Sequence, residues 1–263
     1  IISKDNFHIW HGFIGEMLTG KIMPTQILSP ARRIFKHANL HIGVVRKVDH
    51  VKKLIHTIRE IDGKPVEIGY DKLIVAVGSM QDSERFQGLA EHGFALKAWD
   101  DCYQLKNHIL RMYELASVTD DLQERKAMLT FFVAGGGFSG SEIAGELADF
   151  ARELARKDFP GIDPSEVQVF LSHPQDTILP ELFGNRVDPR QAKQFPELVD
   201  YAEKHLRKIG VTIKTNVRIQ AVSPNLVVLS DGTKVPTKTV ISAVGTIPQK
   251  VTGNSDFPLA HNG

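Results

Sequence analysis

The chain has 263 residues, of which 42% are hydrophobic and 24% charged, with a formal net charge of +1. That length and balance suit a globular protein of two ordinary domains, and the dispersed Lys and Arg give no electrostatic case for nucleic acid. No apolar stretch approaches the ~20 residues needed to span a bilayer, and Ile1-Ile2-Ser3-Lys4-Asp5 lacks the apolar core of a signal peptide.

In chain order, residues 12–20 and 29–36 read as short helical or irregular segments around Pro24. Residues 40–79 read as strands and hairpins: a strand pattern over 40–49, a turn signal at Asp62-Gly63, and an apolar strand over 70–79 ending Ala76-Val77-Gly78. Residues 100–116 read as a helix, with Tyr103, Ile109 or Leu110, and Met112 near one face. A buried strand follows at 129–134. The helix expected at 139–157 carries an apolar stripe of Ile143, Leu147, Phe150 and Leu154. Small Ala144, Ala148, Ala151 and Ala155 flank that stripe, as suits a helix lying on a sheet. Pro160 and Pro164 mark a loop before the next strand at 167–171, and a helix at 197–209 ends at Gly210. Residues 211–220 have strand character, Asp231-Gly232 signals a hairpin, and an apolar strand at 239–246 ends Ala243-Val244-Gly245.

The segment with the clearest chemistry joins the strand at 129–134 to the helix after it. Gly135-Gly136-Gly137-Phe138-Ser139-Gly140 is a GxGxxG fingerprint between strand and helix. Gly135 would allow the tight turn, Gly137 the approach of a pyrophosphate, and Gly140 the close packing of helix on strand. The amides that open the helix, with its dipole, would face the phosphates. The alternative is a strand–helix turn that binds nothing.

The single cysteine, Cys102, excludes an internal disulfide, a CxxC redox pair and a zinc site built from several cysteines. A reducing, cytoplasmic compartment fits. Asp100 and Asp101 precede Cys102, and their charge should raise the thiol pKa, which points to a structural residue. Eleven histidines are present, but none pairs with carboxylates at a metal spacing, and His8 and His11 alone make no site. The two halves also form a weak internal repeat: a strand, an Asp-Gly hairpin and an apolar strand ending Ala-Val-Gly occur in both. If the repeat is a duplication, a first glycine loop is expected about 30 residues before Ile1, so the chain reads as truncated.

Taken with the segments at 11–20, 26–30, 70–79, 178–182 and 245–248, these motifs resemble the flavoprotein oxidoreductases with two dinucleotide folds. The likeness is greatest to the type II NADH dehydrogenase-like branch. It implies an α/β protein of two Rossmann-like, three-layer domains that bind FAD and NAD(P)H, the FAD one incomplete. The expected bounds are 1–100 for the partial FAD domain, 101–248 for the NAD(P)H domain, and 249–263 for the start of a return to the first. The implied reaction passes a hydride from NAD(P)H to FAD and on to a quinone or other small electron acceptor. Gly135, Gly136, Gly137, Phe138, Ser139 and Gly140 would cradle the NAD(P)H pyrophosphate. Gly78 and Gly245 would be close-approach points at strand ends, and Val45 would present its backbone to the FAD adenine. Glu142 would lie near the nicotinamide, or merely complement the helix N-terminus. No metal is implied. Peripheral contact with the cytoplasmic membrane face and a homodimer fit such an enzyme.

The chain departs from the family pattern in four places. The FAD glycine loop is absent, and the chain stops at Gly263 before the stretch that closes the flavin site. Ser3 stands where an acidic residue would bind the FAD ribose, with Asp5 as a substitute. The second nucleotide-domain strand ends Leu171-Ser172-His173, without the carboxylate that would accept from the ribose hydroxyls of NADH. No Arg follows closely, so NADH and NADPH both stay open. His173 reads either as an adenine-ribose contact beside Ser172 or as a surface histidine at a strand end. Two other readings stand beside the dehydrogenase: a reductase of a small redox protein, and an NAD(P)-binding fragment without turnover. In either case residues 101–248 should bind NAD(P)H, while the whole chain should hold FAD poorly.

Overall fold

The computed structural model describes residues 1–183 and 195–257. Its contacts fall into two units: Ile1–His11, Met23–Met80 and Thr246–Gly263 form one, and Gly12–Ile22 with Gln81–Gly245 form the other. Residues 258–263 of the expected return segment lie outside the described residues.

The larger unit is built on a parallel sheet of five strands, in the order Val211–Lys214, Gln168–Ser172, Thr130–Ala134, Thr239–Ser242 and Gly93–Ala95. A parallel sheet covered on both faces needs strands that are apolar throughout, and every residue of Thr130–Ala134 is buried. Alternation along this strand divides the core in two. Phe131 and Val133 point into a cluster with the helices Trp99–Val118, Phe138–Lys157 and Pro196–Lys208. Phe132 and Ala134 point the other way, onto Val222, Val227, Leu229 and Val235 of a small antiparallel sheet. That sheet is Ile219–Ser223, Leu226–Leu229 and Lys234–Pro236. Helices, parallel sheet and antiparallel sheet thus make three layers. Each fully buried Leu or Phe contributes about 1.5–3 kcal/mol to holding them together.

The helix Phe138–Lys157 buries the expected stripe and all four flanking alanines, with Phe150 only partly covered. Its Gly145-Glu146-Leu147 sequence has a use at each position. A Cβ at Gly145 would touch Leu206 Cδ2 at 3.4 Å, so this face lies against the helix Pro196–Lys208. Glu146 accepts from Thr19 Oγ1 at 3.0 Å and pairs with Lys21 at 2.7 Å, anchoring the helix Ile14–Thr19 and the turn after it. Leu147 is fully buried. Gly210 adopts φ +85°, closing the helix before it as expected.

The smaller unit holds a sheet ordered Ile2–Ser3, His41–Asp49, Leu54–Arg59 and Pro65–Gly69, whose last three strands form two hairpins. Gly63 takes φ +67° in the second hairpin turn, and Gly232 takes φ +83° in the corresponding turn of the larger unit.

Three local expectations are corrected. The strand expected over 70–79 shrinks to Ser79–Gln81, which pairs with Thr246–Pro248. Residues 73–78 have no strand partner among the described residues, and Ile74 is 90% exposed, so the apolar run has nothing to pair against. The strand expected over 211–220 is two strands in different sheets, Val211–Lys214 and Ile219–Ser223, separated by Asn216 at φ +58°. In Trp99–Val118 the buried face is Cys102, Leu105, Ile109, Met112, Tyr113 and Ala116, and Tyr103 lies off it.

Candidate nucleotide-binding site

The strand Thr130–Ala134 delivers the chain to the glycine loop at the carboxyl end of the parallel sheet, where open α/β sheets place ligands. Gly135 takes φ +104°, and a Cβ there would overlap the carbonyl of Ala243. A Cβ on Gly140 would overlap the carbonyl oxygen of Gly135 itself, because the helix starts directly against the strand end. Gly137 is the N-cap of the helix and has no side chain to cap it. The first-turn amides therefore lack intrahelical acceptors and are open to an anion.

Hydrogen bonds pin the loop on several sides. Gly135 N–H donates to Ser172 O at 2.9 Å, and Ala243 N–H donates to Ala134 O at 2.8 Å. Gly136 N–H donates to His173 Nδ1 at 3.0 Å, and Gly136 O accepts from Leu179 N–H at 2.7 Å. His173 is 8% exposed, so it is not the surface histidine that its place at a strand end allows. Burial pushes its pKa below the ordinary value, opposed by Gln175 and by the charge of Glu181. A neutral ring accepts at Nδ1 and so carries its proton on Nε2, which faces Gln175 Oε1 at 3.4 Å.

A cavity of about 360 Å³ opens beside the loop, lined by Gly135, Gly137, Ser172, His173 and Gly245 among others. Sequence reasoning singled out these five, and the fold brings them to one place. Gly136 is buried behind the loop, Gly140 is buried in the helix, and Phe138 and Ser139 are exposed at its start. Glu142 is exposed further along the same helix and does not line the cavity. Partial desolvation raises the Glu142 pKa, with a smaller contribution from Glu16. Gly78 and Val45 belong to the smaller unit. Gly78, at φ +70°, lines an open cleft with residues 75–79 and 246–248. Val45 lies opposite Thr57 in a hairpin, next to a register shift.

Four charged cavity residues were not anticipated as site residues: Asp82, Arg85, Glu181 and Arg218. Asp82 and Arg85 come from the segment leading into Gly93–Ala95, which pairs with Thr239–Ser242. Glu181 lies on the short turn Pro180–Phe183. None of these positions has a periodicity or spacing that marks it in the sequence. Away from the cavity, Cys102 is 1% exposed, and its thiol is pushed up to about 12, by burial first and then by Asp101 and Asp100. Among the described residues no group of three His, Cys, Asp or Glu is placed to hold a metal ion.

A family model described as pyridine nucleotide-disulphide oxidoreductase matches residues 3–263. The chain is 29% identical over 238 residues to the type II NADH:quinone oxidoreductase Ndh of Mycobacterium tuberculosis, covering 89% of this chain and 48% of that protein. It is 29% identical over 273 residues to the mitochondrial external alternative NADH-ubiquinone oxidoreductase of Yarrowia lipolytica, covering 98% of this chain and 44% of that one. The structure of NDH2 from Plasmodium falciparum in complex with NADH has the same fold, with a TM-score of 0.84 at 19% identity over 95% of this chain and 50% of that chain. The chain spans about half the length of the relatives it matches. With a family match over nearly its whole length, the chain belongs to the pyridine nucleotide-disulphide oxidoreductase family.

Proposed function

We propose that this chain carries the NAD(P)H-binding portion, and part of the flavin-binding portion, of an FAD-dependent NAD(P)H dehydrogenase whose acceptor is a quinone. One observation carries the reading: at Gly135 and Gly140 a Cβ would overlap backbone, and at Gly137 the helix opens bare onto the cavity. A pyrophosphate fits that cradle, because its charge matches the helix start and its bulk needs the missing side chains. The acceptor follows from the relatives, which are named as quinone and ubiquinone oxidoreductases.

The protein's share of such a reaction is positioning. The loop amides would fix the pyrophosphate, Ser172 and His173 would border the adenine ribose, and Gly245 would let the nucleotide pass the strand end. Glu142, with its raised pKa, is the carboxyl proposed to stand near the nicotinamide. FAD, when bound, supplies the two-electron acceptor. Gly78 and Val45 are the residues of this chain proposed to meet it, and the glycine without near neighbours at position 78 suits a close approach. Peripheral contact of the whole enzyme with a membrane face belongs to this proposal, as the place where a membrane-dissolved quinone would be met. No helix among the described residues is long and apolar enough to cross one.

The test is anaerobic titration of the chain with NADH, where saturable binding is expected and its absence refutes the reading, followed by absorbance after incubation with FAD. Bleaching of the visible flavin band supports the hydride path. Protein-bound flavin that stays oxidised at saturating NADH refutes it.

A further inference from the structure

The middle glycine of the loop faces away from the cavity. Gly135 and Gly137 line it, whereas Gly136 is buried behind them. Both polar groups of Gly136 are taken by protein. Its carbonyl accepts from Leu179 N–H at 2.7 Å and from Ser141 Oγ at 3.4 Å, and these contacts do not change with pH. Its N–H donates to His173 Nδ1 at 3.0 Å. An imidazole nitrogen accepts only while it carries no proton.

The ring has no room to turn aside. His173 is buried, its own N–H donates to Lys214 O at 2.9 Å, and its carbonyl accepts from Val217 N–H at 3.1 Å. A Cβ on Gly136 would stand 3.0 Å from His173 Cβ and 3.2 Å from Cγ, so loop and ring are in direct contact. Protonation would set Nδ1–H against Gly136 N–H, donor against donor, and leave a buried amide without an acceptor. The loop must then shift, and Gly136 sits between two residues that line the cavity. Burial disfavours the charged ring, while Gln175 and the charge of Glu181 favour it. The other charged groups around it are Asp176 in the same loop, Lys214 at the neighbouring strand end, and Asp82, Arg85 and Arg218 on the cavity wall.

We propose that His173 is a positioning residue of the nucleotide site: its neutral ring holds the glycine loop in the shape that receives the pyrophosphate, and its protonation releases the loop and the nucleotide together. This rests on the reading of the loop as a nicotinamide nucleotide site. The geometry fixes the sign of the pH dependence. A histidine that touched the phosphates directly would bind them better when charged, so affinity would rise in acid. A histidine that accepts from the loop must be neutral, so affinity falls in acid and binding expels a proton.

The test is calorimetric titration of the 263-residue chain with NAD+ between pH 5 and 7.5, beside His173→Gln and His173→Ala, with circular dichroism at each pH to confirm folding. NAD+ replaces NADH because the reduced nicotinamide decomposes in acid. Glu181, whose carboxylate lies against Gly137, is common to all three chains, so their comparison cancels its titration. His173→Gln keeps an acceptor for Gly136 N–H and should bind within about threefold of the unaltered chain at pH 7.5. Relative to it, the unaltered chain should lose about threefold or more in affinity on going to pH 5. His173→Ala leaves the amide unpaired and should bind about tenfold more weakly at pH 7.5. A ratio of unaltered chain to His173→Gln that stays constant, or moves the other way, overturns the proposal. So does a His173→Ala chain that binds as tightly as the unaltered one. A measurement on the unaltered chain needs no variant to fold: in acid, NAD+ binding should release protons, counted from the heats in two buffers, and proton uptake overturns the proposal. If the unaltered chain binds NAD+ at no pH, the site reading itself is refuted, whereas binding with the wrong pH dependence refutes only the role of His173.

Discussion

Gly140→Ala tests whether the helix must start against the strand end. Two effects oppose each other. Replacing a helical glycine by alanine gains about 0.5–1 kcal/mol of backbone entropy and propensity. At position 140 the new Cβ would overlap the carbonyl oxygen of Gly135, a backbone atom that cannot rotate away. Overpacking of that kind costs about 1–3 kcal/mol, so the variant should lose about 1–2 kcal/mol net. Gly145 in the same helix is the control. Its Cβ would meet only Leu206 Cδ2 at 3.4 Å and Ile209 Cδ1 at 4.0 Å, both ordinary contacts with movable side-chain ends. Gly145→Ala should therefore be neutral or gain up to about 1 kcal/mol. Urea unfolding of the two variants should separate them by about 2 kcal/mol in opposite directions from the parent chain. Gly140→Ala should also weaken nucleotide binding, because the loop must shift to admit the methyl. A Gly140→Ala chain as stable as Gly145→Ala would refute the close-approach argument.

His173 makes stability depend on pH with a definite sign. Its folded pKa lies below the ordinary 6.5, so its contribution is complete above that value and is lost as pH falls through the lowered one. His108 shifts the same way, its Nε2 lying 3.0 Å from Thr239 Oγ1, so only the difference between variants isolates His173. His173→Gln keeps an acceptor within reach of Gly136 N–H and removes the titration. Urea midpoints should then vary less between about pH 5 and 7, and an equally steep dependence would contradict the hydrogen-bond assignment. Cys102 is buried, with its thiol pushed up to about 12. An aromatic disulfide reagent should leave the native chain unmodified at neutral pH and react once in denaturant. Stoichiometric reaction of the native chain would contradict that burial.

What could be read from the sequence was what local patterning determines. The glycines at 135 and 140 fix a turn whose geometry tolerates no side chain at either position, and Gly137 leaves the helix start without one, so their spacing marked the candidate site. The stripe of Phe138–Lys157 and the Asp-Gly turns at Gly63 and Gly232 follow from periodicity and backbone preference in the same way. Residues 70–79 failed because an apolar run reads the same whether or not a neighbouring strand exists to pair with it. Residues 211–220 failed because a single turn residue, Asn216, passes the chain from one sheet to another. Glu181 and Arg218 enter the cavity from elements distant in sequence, so only the fold brings them together. His173 shows the limit most directly. Its place at a strand end left exposure open, whereas tertiary packing buries its ring against the amide of Gly136.

The central claim is that the loop at Gly135–Gly140 holds a nicotinamide nucleotide. Gly137→Val addresses it with little harm to the fold, because the atom nearest the new Cβ is Glu181 Oε1, at the far end of a flexible side chain. The valine would stand where the pyrophosphate must approach. NADH should bind the parent chain saturably, and the valine variant should lose that binding while melting at a similar temperature. Absence of binding to the parent chain, or undiminished binding by a folded variant, would contradict the account.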